Sequence, residues 1–147
     1  MTAPTARPEP YEGDRGSIAI EFTLWVPVGI VLLALLMVGG RIIMAGNAVD
    51  AAAADAAREA SLARTPSEAS ERARAAAAQT MADQRLHCGG VDVRVDTSGF
   101  SAPLGTYGAV TATVACDLDL TGLGLPVGSK HMSATFTSVI DRWRARS

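Results

Sequence analysis

The hydrophobic pattern of this chain changes character three times. From Phe22 to Gly40 no charged residue occurs. A helix over those nineteen positions would be about 28 Å long, which matches the hydrocarbon core of a bilayer. Pro27 lies inside the run and removes the amide that would bond the Thr23 carbonyl, so a kink is expected there. From Asn47 to Arg64 the pattern stays helical but narrows. Val49, Ala53, Ala56, Ala60 and Ala63 recur at spacings of four and three, while Asp50, Asp55, Arg58 and Glu59 fall off that stripe. If unbroken from Ser17 to Arg64, the helix would reach about 70 Å. Gly39, Gly40 and Gly46 are the places where it would be interrupted.

Thr65-Pro66-Ser67-Glu68 marks a new start. Thr stands at the N-cap, Pro at the first helical position and Glu three residues after the cap, which is a capping box. A second Ala-rich helix is predicted from Pro66 to about Leu86, supported by a Glu68–Arg72 pair and stopped by Gly89-Gly90. Beyond it the period becomes two. Val91, Val93 and Val95 alternate with charged residues, and Val110 to Leu120 alternates apolar with polar or small ones. Met132, Ala134, Phe136 and Ile140 do the same, with Ser138 breaking the apolar side. Three half-buried strands predict an antiparallel sheet with one dry face, and the two Ala-rich helices are the candidates to cover it. The fold class is therefore α+β, a small three-stranded sheet packed on Ala-rich helices that extend a single membrane span.

Charge and composition narrow the functional classes. Residues 41–147 carry eleven Lys and Arg against eleven Asp and Glu, so this part is neutral. Neutrality argues against a nucleic-acid partner, which requires a basic patch. It leaves packing against like subunits unopposed by repulsion. Ahead of the span, Pro4, Pro8, Pro10 and Gly13 among small polar residues predict a disordered leader. A secretory signal peptide fits less well, because the apolar run exceeds the roughly 7–15 residues of such a region. Arg7 and Arg15 precede the span, whereas Arg41 and Arg58 follow it, so charge alone does not orient it. A folded C-terminal part holding both cysteines favours the N-terminus inside.

Glu21 is the one acid at the head of the apolar run, and an acid at that depth is a functional candidate by default. A snorkelling Glu without a role is the plain alternative. Gly16-Ser17-Ile18-Ala19-Ile20-Glu21-Phe22 resembles the processing motif of type IV pilin-like proteins, and Glu21-Phe22-Thr23-Leu24-Trp25-Val26-Pro27 resembles the TadE-like branch, pseudopilins of tight-adherence (Tad/Flp) pilus systems. The resemblance covers roughly Arg15 to Gly46. It implies cleavage after Gly16 by a prepilin peptidase, with Glu21 and Phe22 as the assembly contact. It also implies other pilin-like subunits and a membrane assembly platform as partners, and a bacterial cell membrane or a pilus as location. The expected division is a leader at 1–16, a transmembrane helix at 17–41 and an extracytoplasmic domain at 42–147. Cleavage would leave an amine on Ser17, four residues before Glu21 and so its neighbour on a helix. The alternative is an uncleaved single-pass anchor carrying a binding domain.

Cys88 follows the second helix and Cys116 lies on the apolar side of the middle strand, so a disulfide between them is expected. Two buried thiols are the plain alternative. A zinc site from His87, Cys88, Cys116 and His131 lacks the usual ligand spacing. Neither a catalytic constellation nor a cofactor or small-molecule motif is evident, and Gly122-Leu123-Gly124 lacks the strand–turn–helix setting of a dinucleotide site. The closing Asp141-Arg142-Trp143-Arg144-Ala145-Arg146 is expected to be a solvated tail, with acidic lipid or wall polymer as its alternative contact.

Overall fold

The computed structural model describes residues 15–85, 88–103, 105–120 and 128–141, with side chains from Phe22 onward. The elements are α1 (Arg15–Ser61), α2 (Pro66–Asp83), β1 (Cys88–Asp96), a short 3-10 turn (Ser98–Ser101), β2 (Gly108–Asp119) and β3 (Ser129–Ile140). The expected α+β architecture is what forms: one apolar N-terminal helix, a second helix and an antiparallel sheet in the order β1-β2-β3. The chain divides into two compact units, with the boundary between Met37 and Val38.

In the first unit the described residues belong to α1. Their large side chains are exposed all round, with Phe22 at 69% and Trp25 at 68%. A helix that is apolar on every side and not covered by protein is suited to lipid. Among the described residues it is the one helix long and apolar enough to cross a membrane. Pro27 stands inside it.

In the second unit, α1 continues without a break at Gly39, Gly40 or Gly46. Glycine weakens a helix by only about 1 kcal/mol, which burial of the following Ala face outweighs. All five residues of the predicted stripe are buried. The buried face is also wider than the stripe, since Ala45, Ala48, Ala52 and Ala57 are buried beside it. α2 contributes Ala69, Ala73, Ala77 and Met81 at a spacing of four. Small side chains on both helices let backbones approach each other and the sheet closely, which compensates for the small area that each Ala buries.

The start of α2 differs in one bond from a reciprocal capping box. Thr65 Oγ1 accepts from the Glu68 amide at 3.2 Å, as predicted. The Glu68 carboxylate, however, accepts from the amide of Arg64 at 3.0 Å, one residue before the cap. It also meets Arg72 at 2.7 Å. The Arg64 amide, opposed by desolvation and then aided by the Arg72 charge, holds the Glu68 carboxyl below the usual range.

The end of α2 corrects the sequence reading. The helix stops at Asp83, with Gln84 as C-cap and Arg85 in the left-handed region at φ 51°. Leu86 and His87 lie outside the described residues. Gly89 and Gly90 are not the stop; they belong to β1, where the register shifts between Cys88 and Val91. A bulge at a sheet edge is a natural use of glycine, and it re-aims the strand that carries Cys88.

β2 is the central strand and alternates as predicted, with Val110, Ala112, Val114, Cys116 and Leu118 buried. The edge strands are drier on paper than in space. Val91 is 46% exposed and Phe136 is 51% exposed, because neither edge is fully roofed. α1 runs along β3, with Gly46 against the Met132 side chain at one end and Ser61 bonded to Ser138 at the other.

Candidate functional site

The sequence placed its candidate site at the head of α1, and the helix there is continuous. Gly16, Ser17, Glu21 and Phe22 all lie within α1, which begins at Arg15. Ser17 and Glu21 are thus separated by about one helical turn, the spacing at which an amine and a carboxylate on one chain are neighbours. Phe22 follows on the exposed apolar surface, and Pro27 comes about 1.7 turns beyond Glu21 on the same helix. Residues 1–14, read from the sequence as part of a leader, lie outside the described part. What this arrangement does is place one acid and its following aromatic in sequence near the start of a lipid-compatible helix.

The two cysteines come together as expected. Cys88 and Cys116 form a disulfide with Cα atoms 5.6 Å apart, across a separation of 28 residues. It ties the bulged start of β1 to the buried face of β2. Both sulfurs are thereby consumed, so the zinc rival has lost its thiolates. His131 lies elsewhere: its Nδ1 meets Asp117 Oδ1 at 2.8 Å on the open side of the sheet, whereas Cys116 faces the core. His87, the Gly122-Leu123-Gly124 loop and the tail from Arg142 lie outside the described residues.

Three features escaped sequence reading. On the open face, Thr111 and Thr137, and Thr113 and Thr135, pair hydroxyl to hydroxyl at 2.9 Å. Alternating Thr in two strands was the available signal, but the register that joins them was not. Gly99 is packed so that an added Cβ would strike the backbone of Ala109. Ser138, which looked like a fault in the apolar side of β3, has a partner in Ser61.

Among the described residues, one helix apolar and long enough to cross a membrane, followed by a small disulfide-bonded α+β head, fits the class of membrane-anchored proteins. Residues 16–58 match the family model described as TadE-like protein. Over that segment the chain is similar to TadE-like proteins, a pilus-associated structural family. No curated protein and no solved structure matches the chain.

Proposed function

We propose that this protein is a TadE-like pseudopilin, a minor pilin or assembly component of a tight-adherence pilus or a related secretion filament, and that it acts by assembling rather than by catalysis. In this reading a prepilin peptidase cuts after Gly16, the N-terminus faces the cytoplasm and the head lies outside. The new amine on Ser17 then neutralises Glu21, either in its own chain or in a neighbouring subunit, which lowers the cost of holding a carboxylate at the edge of hydrocarbon. Other pilin-like subunits and the membrane platform are the partners, and the head supplies their specificity.

The observation that carries the reading is Glu21 in α1, one turn after Ser17, at the head of an exposed apolar helix and inside the segment matched by the TadE-like model. The test is the mass of the N-terminus of the protein from its native host. A chain beginning at Ser17 is expected. A chain that retains residues 1–16 would instead be an uncleaved anchor. Filament assembly is expected to fail for Glu21→Gln, and normal assembly of that variant would remove the role given to the carboxylate.

A further inference from the structure

Three segments far apart in the sequence converge where the head begins. Arg41 is the first charged residue after Phe22–Gly40. It lines an open cleft of about 160 Å³ together with Arg85, from the α2–β1 link, and with Met44, Leu118 and Asp119. The β2–β3 register sets Lys130 directly across from Leu118. Arg41, Arg85 and Lys130 are exposed, and none of them has an ion-pair partner among the described residues. Asp119 is the sole carboxylate among the described lining residues, so positive charge is in excess.

The chemistry of the walls is mixed in a specific way. Guanidinium groups match the oxygens of a phosphate in a planar fork, and the Lys130 ammonium, on the strand beside the Leu118 wall rather than in it, adds a point charge nearby. Met44 and Leu118 supply an apolar flank next to those cations. Cations beside apolar side chains, at the first position past a bilayer-length run, suit a group that is itself charged at its tip and greasy below. Free phosphate would use the cations but not the flank. We propose that this cleft binds the phosphate of an acidic lipid headgroup, docking the base of the head on the membrane surface. The proposal rests on reading Phe22–Gly40 as the membrane span.

The full chain in neutral detergent is titrated separately with phosphatidylglycerol and phosphatidylcholine, and bound lipid is counted by native mass spectrometry. Flotation with phosphatidylcholine liposomes is recorded beside it. Wild type should prefer phosphatidylglycerol. Arg85→Gln and Lys130→Gln should each weaken that binding about fivefold, the usual worth of one cation at a charged surface. Arg85→Lys should restore it. Arg58→Gln removes the same charge in the last turn of α1 and should change nothing. Binding indifferent to Arg85→Gln overturns the cleft, as does an equal loss in Arg58→Gln, which would reduce the effect to net charge. Complete displacement by inorganic phosphate assigns the cleft to a free anion and overturns the lipid. A chain that fails to float has lost the span reading, and the proposal falls with it at a separate step.

Discussion

The hydroxyl of Ser138 in β3 donates to that of Ser61, the last residue of α1, at 3.0 Å across 77 residues of chain. Ser61 in turn donates to the Arg58 carbonyl at 2.7 Å and is only 7% exposed. The pair closes the end of the dry face where α1 leaves the sheet. A polar residue among apolar ones is costly only when unpartnered.

This relay predicts a coupled pair. Ser138→Ala and Ser61→Ala should each lower the stability of the full chain in detergent by about 1 kcal/mol. The double variant should lose less than the sum, since it leaves neither hydroxyl stranded. Thermal melts followed by circular dichroism measure all three. Strict additivity would show that the bond contributes nothing.

The disulfide is expected to carry a larger share. A closed loop of 28 residues is worth about 3–4 kcal/mol on the chain-entropy model. In a head whose core is mostly Ala, little else replaces it. Cys88→Ala with Cys116→Ala should therefore lower the melting midpoint by about 10 °C or more. Reductant should shift wild type in the same direction and leave the double variant where it is. A midpoint unmoved in both would show that packing alone holds β1 to β2.

Gly99, in the 3-10 turn, and Gly90, in β1, make a contrast. A Cβ at Gly99 meets the Ala109 backbone, which belongs to the paired strand β2 and has nowhere to move. At Gly90 an added Cβ finds nothing within 4 Å. Gly99→Ala should cost about 1–3 kcal/mol, the range for forced overpacking. Gly90→Ala should be neutral or slightly stabilising, because glycine gives up more backbone freedom on folding. Equal melting midpoints for the two variants would show that the 3-10 turn lifts off β2 without cost.

What was legible in the sequence follows a physical division. Periodicities of 3.6 and 2 reflect burial, so the Ala stripe of α1 and the alternation of β2 could be read directly. The Thr65–Glu68 start of α2 was legible because caps are local chemistry. Gly89-Gly90 misled for the opposite reason, since glycine serves a helix end and a strand bulge equally well. The tertiary partner decided between them. Ser138 looked like a defect because a bond to Ser61 spans most of the head. At the candidate site, Glu21 stood out because a carboxylate beside an uncharged run is rare whatever the fold. The Arg41–Arg85 cleft was invisible, because its residues become neighbours only after the α2–β1 link turns and β2 pairs with β3.

Acid should weaken the head through two carboxyls whose direction of shift is known. The Arg64 amide, and after it the charge of Arg72, hold Glu68 low, while the amide and then the hydroxyl of Ser98 hold Asp96 low. A carboxyl that is more acidic folded than unfolded binds fewer protons in the folded state. Its stabilisation is complete above the unfolded value and disappears as pH falls through the folded one. The melting midpoint should thus be level from neutral pH to about 5 and decline below it. Asp96 is exposed and Glu68 is only half-buried, so the decline should be shallow. Glu68→Gln and Asp96→Asn should each flatten it further. Because the leading partner of each carboxylate is a backbone amide rather than a distant charge, added salt should leave most of the slope in place. A double variant that declines as steeply as wild type would place the acid sensitivity elsewhere in the head.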